Sequence, residues 1–144
     1  MQWTPGPQAG FSTNPKTWLP ISDSYKTTNV QTETSDADSL LNWYKSLISL
    51  RGSNTALRYG GMVMVDKGSP DVLSFVRTAP VGSQPLLIVM NMTSTAQIAT
   101  VELTEIGVKP GRLHTLLSTS PKANIVSPGH IELPPYAVVI ATIQ

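Results

Sequence analysis

One amphipathic stretch constrains the fold of this 144-residue chain more than any other feature. It runs from Ser35 to Gly52 with the sequence SDADSLLNWYKSLISLRG, and its apolar residues recur at helical spacing. The residues on that face, called the apolar stripe below, are Leu40, Leu41, Tyr44, Leu47 and Ile48. Leaving them in water forfeits about 1.5–3 kcal/mol each, a sum comparable with the roughly 5–15 kcal/mol stability of a whole domain. The sequence therefore predicts a helix over residues 35–52 whose apolar stripe packs against another surface.

Both ends of this predicted helix carry recognisable signals. Ser35 can accept a hydrogen bond from a free backbone N–H, and the carboxylates of Asp36 and Asp38 complement the positive end of the helix dipole. We therefore interpret the two aspartates as capping residues and not as a catalytic pair. At the other end, Gly52 predicts a left-handed residue that terminates the helix.

The first 34 residues are rich in Pro, Gly, Ser, Thr and Asn, which predicts an irregular loop. Four aromatic residues are scattered through it, unlike in a solvated linker: Trp3, Phe11, Trp18 and Tyr25. One interpretation is that these rings anchor the loop on a neighbouring surface. The functional alternative is that Trp3 or Trp18 stacks on a sugar ring at the wall of a cleft.

After the helix the apolar period changes to that of short strands. The predicted strands cover residues 59–66, 71–78, 85–92, 97–103, 112–118, 130–133 and 136–143. Turn sequences separate them, among them Lys67–Pro70 and Lys109–Gly111, and the strand at 85–92 is apolar on both faces and hence central. This pattern predicts a mainly β fold, an antiparallel β-sandwich of Greek-key type, preceded by the irregular loop and one amphipathic helix. We place the boundary so that residues 1–52 form one part and residues 53–144 the other.

Composition excludes several classes of function. The formal net charge is +1 with 13% charged residues and no basic run, which argues against nucleic acid as a partner. Cysteine is absent, so disulfides, thiolate metal sites and cysteine nucleophiles are excluded. The longest apolar run, Leu86–Met90, is far shorter than the ~20 residues that cross a bilayer, so no membrane partner is expected. The cytoplasm is the favoured location, although secretion stays open.

No arrangement of residues in the sequence predicts a catalytic centre. The carboxylates fall mostly in turns, at a helix start and at strand ends, whereas retaining glycoside cleavage needs two of them about 5–5.5 Å apart. Of the two histidines, His114 is expected as a structural residue inside a strand and His130 as an exposed one. Asn91-Met92-Thr93 fits the N-glycosylation pattern. No nucleophile elbow, phosphate loop or HExxH motif is present, so no catalytic residue, metal site or cofactor is predicted.

Several segments, taken together, resemble a known series. In the first half they are Met1-Gln2-Trp3, Ala9-Gly10-Phe11-Ser12, Trp18-Leu19-Pro20, Tyr25-Lys26, Asn29-Val30, Asp38-Ser39-Leu40-Leu41-Asn42-Trp43-Tyr44 and Leu47-Ile48-Ser49-Leu50-Arg51. In the second half they are Leu57, Tyr59-Gly60, Leu86-Leu87-Ile88-Val89-Met90-Asn91 and Leu133-Pro134-Pro135-Tyr136-Ala137-Val138-Val139. The series resembles the C-terminal part of α-glucosidases and oligo-1,6-glucosidases of the α-amylase superfamily, glycoside hydrolase family 13, with trehalose synthases close behind.

The resemblance implies that the chain is a fragment. Residues 1–52 would be the end of a TIM barrel, with its last loop and final helix, and residues 53–144 the β-sandwich called domain C. The family's nucleophilic Asp, acid/base Glu and transition-state-stabilising Asp all precede the Met1-Gln2-Trp3 segment, so none can be assigned to a residue here. The chain departs from the family at Thr4, where Asp is usual, and at Gln8, where Asn is frequent.

The implied function is that of a non-catalytic C-terminal domain of a retaining α-glucoside hydrolase or transglycosylase in carbohydrate metabolism, inactive alone, that stabilises a catalytic barrel. The barrel is then the expected partner; without it, the apolar stripe folds back on the sandwich or pairs with a second copy as a homodimer. Two other functions stay open. One is a carbohydrate-binding module that binds glucan through Trp3, Trp18 or Tyr136. The other is the ectodomain of a glycosidase-like transporter heavy chain.

Overall fold

The computed structural model describes residues 1–66, 68–104, 107 and 111–144. The chain divides into two compact units, Met1–Ser53 and Asn54–Gln144, which we call the N-terminal unit and the sandwich unit. Parts of the two predicted turns, Lys67 and residues 109–110, lie outside the described residues.

The N-terminal unit consists of short helical segments joined by loops. Two 3₁₀ turns, Pro7–Gly10 and Asp23–Lys26, precede the helices α1, Val30–Ser35, and α2, Leu40–Ser53. The helix predicted from Ser35 is therefore confirmed in its central part, but it begins later, at the first residue of α2.

Capping contacts explain where α2 begins. The buried Ser39 accepts a hydrogen bond from Asn42 N through its Oγ (3.2 Å), and the Glu33 carboxylate accepts one from Leu41 N (3.0 Å). These two acceptors satisfy backbone donors of the first turn, which have no partner inside a helix. Ser35 cannot do this, because it belongs to the last turn of α1 and its Oγ donates to a carbonyl within that helix.

One side chain joins the two helices. The amide Nδ2 of Asn42 lies within hydrogen-bond distance of three carbonyl oxygens at the end of α1, those of Glu33 (3.0 Å), Thr34 (3.3 Å) and Asp36 (2.7 Å). Carbonyls at a helix C-terminus lack partners inside the helix, so these contacts satisfy them and hold α1 against α2. The predicted capping of α2 by Asp36 and Asp38 is wrong, because Asp36 Oδ1 accepts from Asp38 N (3.0 Å) in the turn between the helices.

The end of α2 also differs from the prediction. Gly52 lies inside the helix and does not adopt the left-handed conformation. The helix ends at Ser53, whose Oγ donates to the carbonyls of Ser49 (3.0 Å) and Leu50 (3.2 Å). A hydroxyl that bonds back onto the last turn thus takes the place of a terminating glycine.

The apolar stripe of α2 is largely in contact with water. Leu40, Tyr44 and Ile48 are 65%, 58% and 69% exposed, while Leu41 and Leu47 are half-buried. The structure describes every residue of α2, and none of them is buried. Periodicity therefore predicted the helix correctly, but three of its five apolar side chains lack the burial that it also predicted.

The sandwich unit begins with a short helix, α3, Thr55–Tyr59, which Asn54 caps through its side chain. In the described part of the chain eight strands follow: β1 Met62–Met64, β2 Val72–Arg77, β3 Leu86–Asn91, β4 Gln97–Thr100, β5 Leu113–Ser118, β6 Asn124–Ser127, β7 His130–Leu133 and β8 Val138–Ile143. They form an antiparallel five-stranded sheet of order β1-β2-β3-β8-β5 and an antiparallel three-stranded sheet of order β4-β7-β6. Along the chain, β1 to β3 lie in the larger sheet, β4 in the smaller, β5 in the larger, β6 and β7 in the smaller, and β8 in the larger, where it pairs with β3 and β5.

The two sheets share one apolar core. Most buried core residues come from the larger sheet, with Val72, Val76, Leu87, Val89, Val139, Ala141 and Ile143, and from the smaller one, with Ala99, Ile131 and Leu133; Val65, Val101, Leu103 and Ala137 join them from outside the strands. The predicted mainly β fold with an antiparallel sandwich is therefore confirmed. Strand β3 lies in the centre of the larger sheet and is buried along almost its whole length, as its apolar run predicts.

The sequence pattern does not predict strand β6. It lies in a stretch that reads as a loop, pairs with β7, and carries a bulge between Ile125 and Ser127. Ile125 packs against the core as a partly buried residue. A four-residue strand with one inward apolar side chain is too short to show a period, so only the pairing with β7 reveals it.

A buried amide ties the central strand to the turn before β8. Asn91 is 2% exposed, and its Nδ2 lies within hydrogen-bond distance of the carbonyl oxygens of Thr95 (2.7 Å), Leu133 (3.3 Å) and Pro134 (2.9 Å). Its Oδ1 accepts from N and Oγ1 of Thr93, both at 2.9 Å. The glycosylation pattern at this asparagine is therefore structural, because the amide is inaccessible in the folded chain.

Replacing Asn91 with Ala is expected to lower the free energy of unfolding by about 2–3 kcal/mol, because several buried backbone groups lose their partners. Urea unfolding followed by circular dichroism measures the change. Asn124→Ala is the matched control, since Asn124 is exposed and its amide contacts the Glu132 carboxylate at 3.4 Å; its effect should stay below about 0.5 kcal/mol. Equal effects of the two substitutions would argue against the tie at Asn91.

The core also contains an unpartnered hydroxyl. Ser74 on β2 is 1% exposed, and its Oγ has no hydrogen-bond partner among the described residues. Because a buried polar atom without a partner is destabilising by about 1–3 kcal/mol, Ser74→Ala is expected to raise the free energy of unfolding by about 1 kcal/mol. The same urea experiment measures this change, with the exposed Ser94→Ala as a neutral control. A loss of stability in Ser74→Ala would show that the hydroxyl has a stabilising partner.

Candidate functional site

The loop that holds Trp3 is closed by backbone hydrogen bonds. Trp3 N and Thr4 N both donate to Ala9 O (3.0 and 3.2 Å), and Gln31 N donates to Trp3 O (3.0 Å). Ala9 is fully buried and, like Gln8, has a positive φ (51° and 55°), a conformation that favours glycine. The main chain around Trp3 is thus fixed while its ring is 55% exposed, so this side chain is accessible to a ligand or a partner.

Trp18, the other predicted ligand-binding residue, stands in an open loop. Its ring is 96% exposed, and the Thr17 hydroxyl donates across it to Leu19 O (2.7 Å). Trp18 is therefore not packed on the described part of this chain, and its anchoring on another surface stays a prediction; of the four aromatic residues, only Tyr25 is half-buried. Neither tryptophan lines the groove described below, and their ligand-binding role stays a prediction.

The environments of the two histidines are the reverse of those predicted, which were a structural position inside a strand for His114 and an exposed one for His130. His114 is exposed because β5 is an edge strand, whereas His130, at the start of β7 and between two strands, is half-buried. Within residues 1–66, 68–104, 107 and 111–144, no three His, Cys, Asp or Glu side chains come together as a metal site requires. No described helix combines the length and the apolar character that a bilayer span needs.

A groove on the sandwich unit has the shape and lining of a small-molecule site. It has a volume of about 440 Å³ and lies where β4 and β7 approach the turn before β8. Its lining residues are Ala96, Gln97, Ile98, Lys122, Glu132, Leu133, Pro134 and Pro135. Small-molecule clefts typically measure ~300–1,000 Å³ and combine apolar walls with a few polar groups, and this groove fits both criteria.

The turn beside the groove holds an aromatic residue in a strained backbone. Ala137 N donates to Pro134 O (3.1 Å), and Tyr136 has a φ of 55°. Proline at the second position, here Pro135, and a left-handed residue at the third are features of a type II turn, in which the third residue is normally Gly or Asn. The Tyr136 ring is 64% exposed, so packing in the core does not explain why a tyrosine stands there.

Hydrogen bonds connect this turn to the groove. Tyr136 N donates to Thr93 O (3.1 Å), and Gln97 Nε2 donates to the hydroxyls of Thr93 (3.3 Å) and Thr95 (3.1 Å). Gln97 also lines the groove. Sequence reasoning named Tyr136 as a residue that could bind glucan but did not connect it with Thr93, Thr95 and Gln97, because the three form no known binding motif. Their spacing of two along an extended segment is the signal that could have grouped them.

Comparisons with known proteins relate the chain to a family. Residues 1–60 match the family model described as "Alpha amylase, catalytic domain". The chain is 34% identical over 94 residues to an oligo-1,6-glucosidase of Bacillus cereus, covering 65% of this chain and 16% of that protein. It is 37% identical over 100 residues to maltase A2 of Drosophila melanogaster, covering 68% of this chain and 18% of that protein. The chain thus spans less than a fifth of the length of these curated relatives.

Solved structures share the fold over nearly the whole chain. A trehalose-6-phosphate hydrolase of Bacillus licheniformis matches with a TM-score of 0.85 at 21% identity, covering 99% of this chain and 25% of that one. The trehalulose synthase MutB of Pseudomonas mesoacidophila matches with a TM-score of 0.81 at 27% identity, covering 99% and 24%. The family model and the curated relatives, in agreement with the resemblance drawn from its segments, show that the chain belongs to the α-amylase superfamily, glycoside hydrolase family 13.

Proposed function

We propose that the chain is the non-catalytic C-terminal part of a longer retaining α-glucoside hydrolase or transglycosylase, in which it stabilises the catalytic barrel. Residues 1–52 would supply the last loop and the final helix of the barrel, and residues 53–144 would be domain C. The observation that carries this proposal is the exposed apolar stripe of α2, because the stripe lies within the residues 1–60 that match a catalytic-domain model.

The N-terminal unit has no apolar core of its own. Of its residues, all of which the structure describes, the buried ones are Ala9, Asn29 and Ser39, and only the first is apolar. Covering the three exposed side chains of the apolar stripe would contribute about 1.5–3 kcal/mol each. A barrel surface seated on the stripe would therefore supply apolar contacts that this unit lacks.

The names of the relatives support the substrate class of the whole protein. They include oligo-1,6-glucosidase, maltase and α-glucosidase, all of which act on α-glucosides. In this proposal the partner of the chain is the catalytic barrel, and neither nucleic acid nor a membrane nor a cofactor takes part. A homodimer through the apolar stripe is the arrangement expected when the barrel is absent.

The purified chain is expected to show no turnover of maltose, isomaltose or an aryl α-glucoside, because the catalytic carboxylates belong to the barrel. Release of glucose or of the aryl group measures this, with the Bacillus cereus oligo-1,6-glucosidase as the positive control. Turnover by the chain alone, at a rate that follows its concentration through purification, would overturn the non-catalytic role.

Without a barrel we expect the chain to dimerise through the apolar stripe, since pairing two copies removes both stripes from water. Sedimentation velocity measures the association state. Ile48→Lys places a charge in the stripe and should shift the chain to monomer, whereas Ser49→Lys adds the same charge at an exposed polar position of α2 and should leave the dimer intact. A wild-type monomer at every concentration, or dimers that both variants retain, would refute the homodimer through the apolar stripe.

A second candidate function is a carbohydrate-binding module. The exposed rings of Trp3 and Trp18 favour it, because exposed aromatic faces can stack on sugar rings. The fluorescence measurement in the next subsection tests it. No observation on the described residues favours the transporter heavy-chain alternative, and we do not propose it.

A further inference from the structure

Tyr136 adopts a backbone conformation that is unfavourable for a bulky residue. Its φ of 55° lies in the left-handed region, where residues with bulky side chains are rare. Burial does not compensate, because the ring is 64% exposed. Strained residues of this kind concentrate at functional sites. The strained and exposed ring of Tyr136 is therefore a candidate for binding a ligand.

The surface next to this ring offers complementary groups. The backbone N–H of Tyr136 donates to Thr93 O, and the Thr93 hydroxyl accepts from the Gln97 amide. Gln97 and Pro135 both line the groove of about 440 Å³. The groove walls combine the apolar side chain of Ile98 and the proline rings with the Gln97 amide. The two charged groups of the lining, Lys122 and Glu132, have opposite signs, so the groove favours neither an anion nor a cation.

We propose that this surface is an oligosaccharide-binding site. The Tyr136 ring stacks on the apolar face of one sugar unit, and the groove receives the next units along the chain. Amide and charged side chains then hydrogen-bond the hydroxyls, which is the usual division of labour in a small-molecule cleft. The site follows from the geometry, while the choice of an α-linked glucan as its ligand rests on the proposed function.

The test is a titration of the full chain with maltoheptaose, followed by isothermal calorimetry and, in parallel, by tryptophan fluorescence. All three tryptophans lie in the N-terminal unit, so fluorescence reports binding there, whereas calorimetry reports binding anywhere on the chain. Tyr136→Asn removes the ring but keeps a residue that tolerates the left-handed turn. Tyr59→Asn is the matched control, because Tyr59 on α3 is 67% exposed in the same unit.

We expect saturable heat at millimolar sugar with little change in fluorescence, an affinity at least about tenfold weaker in Tyr136→Asn, and unchanged binding in Tyr59→Asn. Gln97→Ala should weaken binding as well. Absence of saturable binding by the wild type, or equal binding by Tyr136→Asn, would overturn the site. A fluorescence change that Tyr136→Asn leaves intact would also overturn it and would assign binding to the tryptophans. Failure here leaves the proposed function standing, since turnover and association state test that function separately.

Discussion

The N-terminal unit depends on an apolar helix face that is in contact with water and needs a covering surface. Leu40, Tyr44 and Ile48 lie one above another on α2. The exposure of each side chain to water is energetically unfavourable. By contrast, polar side chains bond backbone groups at the end of α1 and at the start of α2: Asn42 contacts the carbonyls of Glu33 and Asp36, and Glu33 and Ser39 accept from the first turn of α2. The unit therefore has defined helix ends but lacks the apolar contacts that stabilise a free-standing domain.

The sandwich unit shows the opposite balance. Its two sheets bury a continuous apolar core, and the Asn91 side chain uses all of its hydrogen-bonding groups to tie β3 to the turn before β8. The exception inside the core is the Ser74 hydroxyl, which finds no partner among the described residues. The sandwich unit thus has an apolar core and the N-terminal unit has none, which supports the proposal that the N-terminal unit completes a catalytic barrel.

The sequence predicts the sandwich well, because alternation of apolar residues and turn chemistry are local properties of each strand. It does not predict where α2 begins, since the sequence pattern indicates Ser35 as the cap, and the contact of the Glu33 carboxylate with Leu41 N forms only when α1 lies beside α2. The weak period of β6 hides it for a related reason, as only its pairing with β7 defines it.

Some of the candidate sites can be predicted from the sequence and others cannot. Trp3 and Trp18 are found from residue type alone, but the groove is not, because Gln97 and Pro135 meet only after the strands have paired. The strain at Tyr136 is likewise invisible in the sequence, which predicts this residue as the start of the last strand, whereas the structure begins β8 at Val138 and places Tyr136 in the turn before it. Long-range pairing therefore sets the limit of what the residues predict on their own.

The most direct measurement of the central claim uses a hybrid enzyme. In it, this chain replaces the corresponding C-terminal part of the Bacillus cereus oligo-1,6-glucosidase, with Ile48→Lys and Ser49→Lys as paired variants. If the apolar stripe seats the catalytic barrel, the Ile48→Lys hybrid unfolds at a lower temperature and loses α-glucosidase activity, while the Ser49→Lys hybrid matches the unsubstituted one. Equal unfolding temperatures and equal activities in the two variants would contradict the account.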